Sequence, residues 1–163
     1  MYAEANMHYE ELTKAAASPL ASPPRKLWRI TLAFNRTLEQ AFETKKREIE
    51  QRSGCALDER WVFHGTASEN IDSILCHGFM VGGQGVTIRN GAAYGKGVYT
   101  GIGPSAPLQY GQNRAVILAL SVCGTVSRQD DGLCDAWDGP PGKDWRIFRE
   151  GSQLLPVYVL NFD

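Results

Sequence analysis

Apolar residues first gather at Leu27, where LWRITLAF has the composition of a strand. Leu38, Phe42 and Ile49 then recur at roughly helical spacing among charged residues as far as Arg52, which predicts an amphipathic helix. Trp61-Val62-Phe63 predicts a short strand that runs straight into His64-Gly65-Thr66. Behind it, Thr66 and Glu69 have the spacing of a capping box, Ile71, Ile74 and Leu75 share a helical face, and Gly78 supplies a stop. The Gly-rich stretch from Gly82 to Gly91 reads as a mobile loop that leads through Tyr94-Gly95-Lys96-Gly97 into a strand with Val98 and Tyr99. Ser105 to Tyr110 predicts a short helix, and AVILALSV from Ala115 to Val122 predicts a buried strand. After a Gly/Pro loop from Asp138 to Gly142, strands are predicted at Trp145 to Phe148 and Val157 to Phe162. The balance is mostly strand with two or three helices and no strand-helix-strand alternation, so the expected class is α+β, with packed, largely antiparallel sheets.

The Ala/Ser/Pro tract from Ala15 to Pro24 sets residues 1–26 apart as an arm or linker ahead of one domain at 27–163. A length of 163 residues suits a single core, and 43% apolar with 21% charged residues is a soluble globular composition. The longest apolar run is too short to span a bilayer and no leader pattern opens the chain, so the expectation is a cytosolic or nuclear protein without membrane contact. A net charge of −1 gives no indication of nucleic-acid binding. Cys55, Cys76, Cys123 and Cys134 lack zinc spacing, so the expectation is buried free thiols and no metal.

Three histidines narrow the search for a functional imidazole. His8 lies in the arm, and His77 stands at a helix end where a cation favours the dipole. His64 ends an apolar strand and is followed by Gly65, which permits close backbone approach, and by the hydroxyl of Thr66. Taken alone, the tripeptide is as well explained by a hydrogen-bonded strand-end histidine. About thirty residues on, YGKGVY sets two glycines around a lysine and then carries Tyr99, with Tyr110 eleven positions further. Alone, that turn is a hairpin and Tyr99 a core residue.

Together, WVFHGTASENIDSILCHGF, NGAAYGKGVYTG and AVILALSV resemble the catalytic domain of the poly(ADP-ribose) polymerase family, the diphtheria-toxin-like ADP-ribosyltransferases, with NGAAYGKGVY most similar to the mono-ADP-ribosylating branch. The resemblance runs from about Leu27 to LLPVYVLNF at the end. It implies the ADP-ribosyltransferase fold, NAD⁺ as co-substrate, no metal, and a protein acceptor. It further implies that His64 holds the adenosine ribose, Gly65 grips the nicotinamide amide through its backbone, and Thr66 assists the ribose. Tyr99 would line the nicotinamide-ribose side with Tyr94 near it, Tyr110 would stack on the nicotinamide ring, and Ser105 would reach the amide oxygen. A planar cationic pyridinium suits aromatic faces.

Loss of nicotinamide leaves a ribose with oxocarbenium character, which a carboxylate stabilises. The family places a Glu at the start of a late strand, here Trp145 to Phe148. One register puts Asp144 at that position, and a slip of one residue puts Trp145 there, reversing which side chain faces the site. Glu150 is a further carboxylate beyond the strand. The resemblance implies a mono-ADP-ribosyltransferase with His64, Tyr99 and Asp144 as catalytic residues, acting on a protein or on a nucleic-acid end. Two alternatives stand beside it: a catalytically silent NAD⁺- or ADP-ribose-binding module, favoured if Trp145 holds the acid position, and an NAD⁺ glycohydrolase.

Overall fold

The computed structural model describes residues 27–81, 94–112 and 114–163. The arm at 1–26 and the Gly-rich loop at 82–91 lie outside the described residues. Among the described residues the strands are β1 (Leu27–Leu32), β2 (Glu59–His64), β3 (Val98–Gly101), β4 (Ala115–Val122), β5 (Val126–Ser127), β6 (Ala136–Asp138), β7 (Trp145–Phe148) and β8 (Leu154–Phe162). The α-helices are α1 (Arg36–Ser53), α2 (Ser68–His77) and α3 (Ser105–Tyr110), and a single 3₁₀ turn covers Gly151–Gln153. None of these helices is long and apolar enough to cross a membrane.

The strands hydrogen-bond in the order β1-β8-β4-β2-β3-β7-β6-β5, antiparallel throughout except for β5 with β6. The α+β class holds, and the two expected sheets are the halves β1-β8-β4-β2 and β3-β7-β6-β5. Strand pairing between them is confined to one position, Phe63 opposite Gly101. Their apolar faces meet: Val62, Ile117 and Ala119 of one half share a buried cluster with Val98, Ala136 and Phe148 of the other. Strand β4 is buried on both faces, with Ile117 and Ala119 in one core cluster and Val116 and Leu118 in another, which is why AVILALSV reads as a continuous apolar run rather than an alternating one.

Asn35 organises the first helix. Its carboxamide oxygen accepts from the N–H groups of Thr37 and Leu38, and its amide nitrogen donates to the carbonyls of Leu75 and Cys76, 3.0 Å away in each case. One side chain thus caps α1 and ties down the last turn of α2. Gly54, at φ 70°, closes α1, while Phe42 and Ile49 bury against Val122. Three of the basic residues on α1 are paired: Lys45 bridges Glu48 and Glu150, Lys46 reaches Glu59, and Arg52 pairs with Asp135.

Two expectations need correction. Helix α2 is capped at Ala67 without a side-chain bond, and the Thr66 hydroxyl instead accepts from the Asn70 amide at 3.1 Å. The Thr66–Glu69 capping box is therefore not formed, because the helix starts one residue too late for Thr66 to be its cap. All four cysteines are free, but only Cys134 is buried; Cys55 and Cys76 are exposed. Each of those two sits at or just past a helix end, where the chain turns over the surface.

Candidate functional site

The site lies where the two halves of the sheet part. On one side of its strand His64 pairs with Ile117 of β4; on the other its Nδ1 stands 2.9 Å from the carbonyl of Tyr99 on β3. A carbonyl only accepts, so Nδ1 carries the proton and Nε2 keeps a lone pair. Phe79 meets the imidazole edge-on at 5.0 Å between centroids. Burial pushes the His64 pKa below its usual 6.5, and the Tyr99 carbonyl opposes that shift less strongly. His64 is thus a neutral, oriented imidazole at neutral pH. The unfolded chain binds this proton more readily than the folded one, so His64 contributes full stability above pH 6.5 and loses it as pH falls through the depressed native value. Thermal unfolding followed from neutral to mildly acidic pH should show this loss, and His64→Gln should flatten it; an unchanged slope in the variant would remove His64 as its source.

Gly65 is a glycine for a packing reason that is visible without any ligand. A Cβ at this position would lie 1.7 Å from the carbonyl oxygen of Pro107 and 2.5 Å from its carbonyl carbon. The missing side chain lets α3 approach the end of β2, which brings Tyr110 toward the strand that carries Tyr99. Ser105 opens α3 and is exposed.

Tyr99 has its hydroxyl fully engaged: it donates to the Gly95 carbonyl at 2.9 Å and accepts from the Tyr94 N–H at 3.1 Å. Burial pushes its pKa up, so the phenol stays neutral. The ring, rather than the hydroxyl, is what Tyr99 presents. Tyr94 is held in turn through its carbonyl, which accepts from the indole N–H of Trp137.

Strand register decides what else faces this site. Tyr99 pairs with Ile147 and Gly101 with Trp145, so alternation sets Trp145 and Ile147 on the Tyr99 face and Arg146 on the other. The Trp145 indole is the centre of an aromatic cluster. Tyr94, Tyr99 and Tyr110 all stand nearly perpendicular to it, with centroids 6.3, 6.4 and 6.3 Å away. Asp144 precedes the strand; its side chain is exposed and its carbonyl accepts from Ile102 at 2.8 Å. Glu150 is committed to structure, bridging Lys45 at 2.9 Å and capping the 3₁₀ turn.

The structure therefore sets the His64 imidazole against the Tyr99 backbone, Gly65 against Pro107 of α3, and Tyr94, Tyr99 and Tyr110 around Trp145, while the Thr66 hydroxyl is taken by Asn70. Phe79, which meets His64, closes the first of the quoted motifs, whereas Trp137, which holds Tyr94, carried no local signal in the sequence because its role depends on a contact between distant segments. A family model described as the poly(ADP-ribose) polymerase catalytic domain matches residues 6–126, which ends ahead of β7.

Proposed function

The chain belongs to the poly(ADP-ribose) polymerase catalytic domain family, whose domains use NAD⁺ as substrate, and from that premise we propose that it is an NAD⁺-dependent mono-ADP-ribosyltransferase acting on a protein acceptor. The observation that carries this reading is the pairing of a neutral, oriented His64 with the Tyr99 strand across the parting of the sheet, beside a cluster of aromatic rings. The residues fit the ligand. A lone pair on Nε2 accepts from a ribose hydroxyl, backbone groups at Gly65 suit a carboxamide, and the tyrosine rings suit a flat cation. Thr66 and Ser105 offer hydroxyls to the ribose and the amide, and Tyr94 closes the aromatic side.

In the reaction the C–N bond to nicotinamide breaks and its electron pair leaves with the ring, which becomes neutral. A nucleophile on the acceptor then bonds to the anomeric carbon and gives up its proton. The enzyme's contribution is to hold the two halves of NAD⁺ so that the bond can lengthen while water is kept away. The carboxylate role for Asp144 draws no support from its exposed position.

A second reading, a silent NAD⁺-binding module, is favoured by one observation: Trp145, at the start of β7, shares the Tyr99 face, and in one of the two registers that the resemblance allows it stands in place of the carboxylate. Incubation with NAD⁺ labelled in the adenylate phosphate separates the readings. Label on protein supports transfer, free labelled ADP-ribose indicates hydrolysis, and unchanged NAD⁺ with measurable binding supports the silent module.

A further inference from the structure

The position of Trp145 has a meaning beyond the missing acid. A tryptophan used only for the core lies fully buried, as Trp137 does at 0% exposure. Trp145 is half-buried, and two of its three ring partners are exposed, Tyr94 at 42% and Tyr110 at 45%. Room for the indole is built into the neighbouring chain, since a Cβ on Gly139 would come within 2.6 Å of the Trp145 Cβ. The three tyrosines stand at 82°, 74° and 70° to the indole, so the group presents ring faces and ring edges together instead of a closed stack.

The fold also shows how it uses a tryptophan whose face is already taken. Arg149 lies over Trp137 with its guanidinium carbon 5.1 Å from the ring centroid. Among the described residues no cation of the protein stands over Trp145 in this way. An aromatic group of this kind, open to solvent and without a cation of its own, attracts positive charge through the negative faces of its rings.

We infer that Trp145 is a specificity-determining residue that makes the cleft read the positive charge of its ligand, so that NAD⁺ is bound in preference to its reduced, uncharged form, NADH. This inference rests on the reading that the nicotinamide ring enters the cleft. The two nucleotides share every group except the ring, which is planar and cationic in NAD⁺ and neutral and reduced in NADH. A cation over an indole contributes enough to change binding about 2- to 30-fold, the larger end where the site excludes water.

Calorimetric titration of the whole chain with NAD⁺ and, separately, NADH tests it. The wild-type protein should bind NAD⁺ more tightly within that range. Trp145→Leu should lose that preference by weakening NAD⁺ alone, and Trp145→Phe, which keeps an aromatic face, should retain part of it. Equal affinities in the wild type, or a Trp145→Leu variant that weakens both nucleotides by the same factor, would overturn the inference while leaving the NAD⁺ site in place. Binding of neither nucleotide to the wild type would overturn the proposed function and this inference with it. If Trp145→Leu does not fold, the comparison is read from Trp145→Phe against the wild type, with an undiminished preference counting against the role of the indole.

Discussion

Trp145→Glu is expected to speed release of nicotinamide from NAD⁺ by about 10²-fold or more, because one preorganised group aimed at a developing charge contributes on the order of 10²–10³ in rate. The position opens β7, lies opposite Gly101 and shares a face with Tyr99. If the nicotinamide ribose lies beside Tyr99 as proposed, a carboxylate there would meet the positive charge that develops on it. The gain should come with a cost in KM, since the indole and its three ring contacts are lost. Partial burial among aromatic rings should also raise the new carboxyl's pKa, so the gain should grow as pH rises. Asp144→Ala, at an exposed side chain, should change little by comparison. Measuring nicotinamide release and NAD⁺ affinity together decides the matter. A variant that still binds NAD⁺ yet shows no faster release would rule out this position as the site of charge stabilisation.

Gly65→Ala is expected to damage both stability and binding, and by more than its single methyl suggests. The three atoms nearest the added carbon are all backbone atoms of Pro107, the closest at 1.7 Å, so no side-chain rotation relieves the overlap. Either the end of β2 or α3 must move. Movement of α3 carries Tyr110 away from Trp145, and movement of β2 disturbs the His64 bond to the Tyr99 carbonyl. Overpacking of this kind costs about 1–3 kcal/mol, which for a chain of this size lowers the melting temperature by roughly 2–12 °C. Gly103→Ala in the same region is the control, because a Cβ there meets nothing within 4 Å. If both variants melt like the wild type and bind NAD⁺ equally well, the close approach of α3 to Gly65 is not what shapes the cleft.

Local pattern carried a large part of the fold. AVILALSV, the Leu38, Phe42 and Ile49 spacing, and SAPLQY identify β4, α1 and α3, since each has enough periodicity or apolar length to declare itself. The short strands β5 and β6 were not legible, because two or three residues hold too little pattern and owe their pairing to neighbours in the sheet. Nor did LWRITLAF reveal which residues it buries: Leu27 packs against a core cluster, while Trp28 and Leu32 on this edge strand are 60% and 66% exposed.

The same division runs through the site. His64, Gly65, Tyr99 and Tyr110 were singled out by the resemblance, which rests on motifs continuous in the chain. Which side chain of β7 shares the Tyr99 face could not be read that way. The choice between Asp144 and Trp145 is a matter of strand parity, and parity is set by hydrogen bonds to β3, more than forty residues earlier in the chain. Only once Gly101 lies opposite Trp145 does the indole turn toward the tyrosines and the neighbouring carboxylate fall outside them, since successive side chains on a strand must point to opposite faces.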